Sequence, residues 1–310
     1  MEGFHEAVRG VVEVLAEAGL RSSNLNVFPG FLSTEDLRRL KEVLSDFGID
    51  YTLLPDYSET LDGESWSEYQ KLSAGGTGIQ AIRDMGRACA SIQFGRSLIG
   101  QSSAAAYLQE RFDVPAVTLN TPIGIRQTDL FFKSLVELMG RSVPHKYERE
   151  RGRLVDAYID GHKYVSGKRA VVFGEADFVA AMASFLDEIG IVPALCATGA
   201  ATGRFRETVM AGIENGHECP LVAEDTDFVT MLDACKTIGV DIVIGSSKGY
   251  FLSRKLGVPM VRVGFPIHDR IGGQRVLHIG YRGAQQLFDR VVNALIEAQQ
   301  NSSSVGYSYI

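Results

Sequence analysis

Short apolar runs that end in glycine-rich turns alternate with helical periodicities along almost the whole chain, and this alternation most limits what the chain can fold into. In the second half the unit is clear. RAVVFGEAD (169–177) reads as a buried strand ending in a turn; the next helix puts Phe178, Ala181, Met182, Phe185 and Ile189 on one face, and Gly190 closes it. The unit recurs as VPALCATG (192–199) with a helix near 204–214 and as PLVAED (220–225) with 227–238. VDIVIGSS (240–247) with 248–256 and then VPMVRVGF (258–265) continue the series. A last amphipathic helix carries Leu287, Phe288, Val291, Val292, Leu295 and Ile296. Apolar strands followed by period-3.6 segments imply right-handed βαβ units and parallel sheets.

The first half follows the same grammar. LNVFPGF (25–31) leads to a helix over about 34–47, where Leu37, Leu40, Val43, Leu44 and Phe47 share a face and Gly48 caps the end. IDYTLLPD (49–56), a polar loop at 61–69, AGGTG (74–78), CASIQFG (89–95), a helix near 102–112 and PAVTLNTPIG (115–124) follow. Residues 129–140 and 144–165 read as successive helices joined near Pro144. The expected fold class is therefore α/β, with two doubly wound Rossmann-like domains. The first spans 1–142 with a short N-terminal helix, a connecting helix spans 143–166, and the second spans 167–299 before a polar tail at 300–310. At 310 residues the chain is long enough for two cores.

A net charge of −7 argues against nucleic acid or an anionic membrane as partner, because both require a basic surface. No apolar run approaches the roughly 20 residues of a transmembrane helix. The start, MEGFHEAVRG, has no apolar signal core, so the expected location is cytoplasmic. Cys89, Cys196, Cys219 and Cys235 contain no C-x-x-C spacing and read as buried thiols, with Cys219, near His217 and Pro220, the least obviously so.

In doubly wound sheets ligands gather beyond the carboxyl ends of the strands. The loops there are PGF, GGTG, TPIG, GEAD, ATGAATG, EDTD, GSSKG and GFPIHDR. None is a G-x-G-x-x-G or a Walker motif, so a dinucleotide or ATP site is not encoded. Asp156 and Asp160 in RGRLVDAYIDGHKY are four apart, hence on one helical face, with His162 two residues on. A solvated acidic face, part of a cation shell and an acid–base pair are all compatible with that spacing.

Taken together, the loops and motifs resemble those of nitrogenase component I, specifically its β-subunit. The matching segments include GFHEAVRGVVEVLAE, NVFPGF, GIDYTLLPD, LNTPIGIRQTDLF, ERGRLVDAYIDGHKYVSGKRAVVFGEADFV, IVIGSSKGYFLSRK, VRVGFPIHDR and IGYRGAQQL. The most specific are E-R-G-R-L-V-D-x-x-x-D-x-H, G-F-P-I-x-D-R and G-Y-x-G. The resemblance implies a complex that reduces dinitrogen at the expense of ATP. Its partners would be an α-subunit, a second β-subunit and the iron protein, and its cofactors a P-cluster and an iron–molybdenum-type cofactor. It also implies that a cluster-bearing first domain is missing from this chain, so that no catalytic or cofactor-binding residue is expected in it. Asp156 and Asp160 would then be ligands to a calcium-like cation between β-subunits. His162 resembles a family position that is not a cluster ligand and reads as a helix-end hydrogen-bonding residue, and the Asp269–Arg270 pair reads as fixing its loop or the α-subunit interface. Lys248, at a helix N-terminus in GSSKG, reads as part of a structural turn. Alternatives are a cofactor-assembly scaffold subunit, another nitrogenase-like reductase and, from a different class, a two-domain small-ligand-binding protein.

Overall fold

The computed structural model describes residues 2–72, 74–214 and 218–305. Its elements, in order, are α1 (Glu2–Leu15), β1 (Leu25–Phe28), α2 (Thr34–Asp46), β2 (Tyr51–Leu53), α3 (Ile79–Asp84), β3 (Ala90–Phe94), α4 (Ala104–Phe112), β4 (Ala116–Leu119), α5 (Gly124–Met139) and α6 (His145–Val165). There follow β5 (Arg169–Phe173), α7 (Ala176–Glu188), β6 (Val192–Ala197), α8 (Phe205–Met210), β7 (Leu221–Ala223), α9 (Phe228–Ile238), β8 (Ile242–Gly245), α10 (Tyr250–Leu256), β9 (Met260–Arg262) and α11 (Gly280–Ser302). Two parallel sheets result, ordered β2-β1-β3-β4 and β7-β6-β5-β8-β9. Each reverses direction beside its first strand, so β1/β3 and β5/β8 are topological switch points. The expected α/β class with parallel sheets is what the chain forms.

Strand residues divide between faces with period two. Along β5, Ala170 and Val172 face a core that also takes Leu25 and Val27 of β1, whereas Val171 and Phe173 face a second core beneath α9 and α10. The larger core is thus continuous between the sheets and includes buried faces of α2, α5, α6, α7 and α11. A third cluster, containing Val12, Ile82 and Leu108, packs α1, α3 and α4 on the outer face of the first sheet. Helix α11 closes the structure against α5 and α6. At its contact with α6, a Cβ on Gly161 would stand 2.5 Å from the Phe288 ring.

Two helices differ from their sequence-based spans for physical reasons. Helix α5 begins at Gly124 rather than near 129, because Glu188, from the end of α7, accepts from the amides of Ile125 and Arg126 at 2.7 Å each. That cap comes from 62 residues away along the chain and leaves no local signal. Helix α8 stops at Met210 instead of reaching 214; Gly212 packs against Ser184, its missing Cβ position 3.0 Å from that side chain. Residues 215–217, with His217, and the end of the polar tail lie outside the described residues.

Candidate functional site

The carboxyl ends of the two sheets face one another, so loops from both switch points enter a common cleft. From the first sheet comes the turn after β1, with Phe31, Leu32 and Ser33; from the second come Gly174 and Glu175, Ser246, and Val263–Phe265. Ser33 and Asp36 form a capping box at the start of α2: the Ser33 hydroxyl accepts from the Asp36 amide (2.9 Å) and the Asp36 carboxylate from the Ser33 amide (3.2 Å). The same carboxylate reaches across to the segment before α11. It accepts from the amides of His278 (2.6 Å) and Ile279 (3.1 Å), and lies 2.7 Å from His278 Nδ1. Both side chains are buried. Burial alone would raise the Asp36 pKa, but the facing His278 and these hydrogen bonds outweigh it and hold the carboxyl below its usual value. With Nδ1 directed at Asp36, the other ring nitrogen, Nε2, lies 3.3 Å from the Gly264 amide.

Glu175 caps α7, accepting from the amides of Asp177 (3.1 Å) and Phe178 (2.9 Å). Burial, with the nearby charge of Asp177, pushes its pKa up to about 7. Asp177 itself accepts from the amide (2.9 Å) and hydroxyl (2.5 Å) of Ser97, beyond β3, and burial raises its pKa too. The cleft closes to a cavity of about 20 Å³ under the rings of Phe31, Phe173, Phe178 and Phe265. Phe31 and Phe265 meet at 5.0 Å between centroids.

The residues singled out by sequence are not in this cleft. Asp156 and Asp160 are exposed on α6, and among the described residues no group of three or more histidine, cysteine or carboxylate side chains is placed to hold a metal ion. Arg151, from the same motif, is engaged by Asp129 at 2.9 Å. Glu150 of the motif pairs with the buried Arg39 of α2, whose guanidinium also lies over Tyr147. His162 is exposed near the end of α6, with its carbonyl accepting from Ser166. In GFPIHDR it is Asp269 that fixes the loop. It accepts from Arg262 through Nε, at 2.8 and 2.9 Å, and Nη2, at 2.6 Å, and from Ser247 at 2.7 Å, with Arg270 farther off at 3.5 Å. These partners, Arg262 foremost, hold its carboxyl well below the ordinary range. His268 is exposed and its amide donates to Ser247; Lys248 is exposed in the turn before α10.

A family profile described as nitrogenase component 1 type oxidoreductase matches residues 1–296. The chain belongs to that family. It is 35% identical over 297 residues to the nitrogenase molybdenum-iron protein beta chain of Clostridium pasteurianum, covering 95% of this chain and 64% of that protein. It is 33% identical over 300 residues to the nitrogenase vanadium-iron protein beta chain of Trichormus variabilis, covering 94% and 64%. The chain therefore spans about two thirds of the length of these relatives. A solved structure of nitrogenase Cp1 at pH 6.5 superposes with a TM-score of 0.94 at 33% identity, over 99% of this chain and 68% of that one. A second Cp1 chain, 13% identical with a TM-score of 0.67, shares the fold.

Clusters of the iron–sulfur kind need converging thiolates, and the four cysteines of this nitrogenase-family chain do not converge. Cys196 and Cys235 are buried in different cores, and burial pushes both thiols up, that of Cys235 to about 11. Cys89 is half-buried, with its Sγ 3.7 Å from the Met139 sulfur. Cys219 is exposed, 3.6 Å from that of Met210. The residues described here do not fit such a cluster.

Sequence reasoning missed the Asp36–His278 pair and Glu175. The S-T-E-D run at 33–36 was a readable capping signal for α2. Nothing local announces a partner 242 residues away.

Proposed function

We propose that this chain is a β-type subunit of a nitrogenase-like reductase complex, in which it supplies contacts to an α-type subunit and to a second β-type chain. The reading rests on one observation above all: near-complete superposition on a nitrogenase Cp1 chain, at a TM-score of 0.94 over 99% of the residues. In the complete complex the activity is ATP-dependent reduction of dinitrogen. Electrons come from an iron protein, and the P-cluster and the iron–molybdenum-type cofactor are held by residues outside this chain. The scattered cysteines support that division of labour. We place the complex in the cytoplasm and divide the chain at α6, with one sheet in each domain.

On this reading Asp156 and Asp160 give part of the oxygen shell of a calcium-like cation between β-type chains. A hard cation takes six or more oxygens, so two carboxylates need further ligands from another chain or from water. Co-expression with an α-type subunit and the iron protein tests the whole. The expected results are co-elution in a hetero-oligomer, iron only in the assembly, and lower calcium occupancy there for Asp156→Asn. A stable monomer with saturable small-ligand binding and no co-eluting partner refutes the subunit reading. Equal calcium occupancy in Asp156→Asn and parent assemblies refutes the cation site alone.

A further inference from the structure

The second sheet ends in an edge that no described strand covers. Strand β9 is its last strand and pairs only with β8. The Pro259 carbonyl accepts from Val243 and the Val263 amide donates to Gly245, so both are turned towards β8. Backbone groups alternate sides from one strand residue to the next, and the amides and carbonyls of Met260 and Arg262 therefore point away from β8. Among the described residues these four groups have no partner. They open onto a groove of about 400 Å³ between the edge of β9, helix α11 and the loop at 267–276. That loop is a firm wall. A Cβ on Gly273 would stand 2.5 Å from Ile267, and Asp62 holds Arg275 at 3.0 Å.

An open edge is a template for another strand, and proteins ordinarily cover or blunt it. Here charge lies beside the open backbone. The groove is lined by three arginines, Arg262, Arg270 and Arg290, against one carboxylate, Glu297. Arg262 is engaged by Asp269, and Arg270 lies 3.5 Å from the same carboxylate. Arg290, on α11, has no ion pair or hydrogen bond among the described residues. Ile271, at the rim, is 100% exposed. The groove is thus positive in a chain whose net charge is −7, and opposite charge is what it recruits. A free anion would leave the strand edge unpaired, a helix has no spare backbone groups to offer it, and a basic segment is repelled. We propose that the edge of β9 docks an extended acidic segment of a partner protein, which adds to the sheet as a sixth strand and sets its carboxylates against Arg290 and Arg270. This surface lies within the chain and does not depend on the subunit reading.

The probe is a fluorescein-labelled octapeptide of alternating glutamate and threonine, titrated into the full chain with anisotropy as the readout. Saturable binding is expected at low salt, weakened about tenfold by Arg290→Glu and absent for the matching lysine–threonine peptide. Arg290 is exposed, so the variant is expected to keep the circular dichroism of the parent. Amide exchange read by nuclear magnetic resonance separates strand pairing from charge attraction. In the peptide complex the amides of Met260 and Arg262 are expected to exchange more slowly, whereas that of Val261, already turned to β8, is unchanged. Unaltered exchange at Met260 and Arg262 overturns the proposal. So does equal affinity for the lysine peptide, equal affinity in Arg290→Glu, or a dimer of the chain itself that Arg290→Glu dissociates.

Discussion

Replacing Asp36 by asparagine tests whether the two halves are joined through one carboxylate. The substitution keeps shape and one carbonyl oxygen, which can still serve the amides of His278 and Ile279. The new NH₂ faces the Ser33 amide and His278 Nδ1, both donors in the parent. If the imidazole changes tautomer to accept from the asparagine, its Nε2–H then confronts the Gly264 amide at 3.3 Å. Either way about two buried donors lose their acceptor, at roughly 1–3 kcal/mol each. A loss of about 3–5 kcal/mol is expected, within the range for breaking one side of a buried charged contact. Urea denaturation at pH 7, followed by far-ultraviolet circular dichroism, measures it. A cycle with His278→Ala should return a coupling of about 1–3 kcal/mol. The pH dependence has a definite sign. Asp36 has a depressed pKa in the fold, so its contribution is present above the ordinary carboxylate value and lost as pH falls through the depressed one. The difference between parent and variant should hold from pH 8 to 5 and shrink in stronger acid. A difference under about 1 kcal/mol at pH 7, or no coupling to His278, would refute the reasoning.

Glu188→Ala should orphan the amides of Ile125 and Arg126 and the Tyr158 hydroxyl, costing about 2–4 kcal/mol; amide exchange in the first turn of α5 should rise selectively, and uniform exchange would count against a local cap. Gly283→Ala puts a Cβ 2.4 Å from the His278 carbonyl carbon, a backbone atom that cannot swing aside, so a loss of about 2–3 kcal/mol is expected. Gly152→Ala, on α6 with open space around it, should instead stabilise by about 0.5–1 kcal/mol in the same urea assay. Glu175 binds its proton more tightly in the fold than in the unfolded chain, so its effect is to raise stability as pH falls from about 7 towards the ordinary glutamate value. Glu175→Gln should flatten that slope; an unchanged slope would contradict the assignment.

Sequence periodicity gave access to what is local. The strands at 25–28, 90–94, 169–173 and 242–245 lie inside the runs that announce them; the last two are almost wholly apolar, as buried parallel strands tend to be, whereas the first two also bury Asn26, Ser91 and Gln93. Family motifs carried the assignment, yet the structure shows several of them to be packing devices. Glu150 of ERGRLVD binds the buried Arg39. Asp269 of GFPIHDR ties a loop to Arg262 and Ser247, and Gly283 of GYRG lets the chain pass the His278 backbone. Such roles depend on which segments meet, and spacing along one segment does not contain that information.

The same distinction separates Asp156 and Asp160 from Asp36 and Glu175. The first pair stands out in sequence because i and i+4 share a helical face, but both side chains are exposed, where water already solvates carboxylates and an added cation gains little without further ligands. The second pair is 139 positions apart and invisible as a pattern. Each of its members caps a helix at the carboxyl end of a parallel strand, Asp36 beyond β1 and Glu175 beyond β5. Because each sheet reverses direction beside that strand, the two caps project into the one crevice that both topologies leave open. Burial there makes each carboxylate respond strongly to what faces it. Asp36 meets four donors and stays ionised, whereas Glu175 meets two and holds its proton to about pH 7.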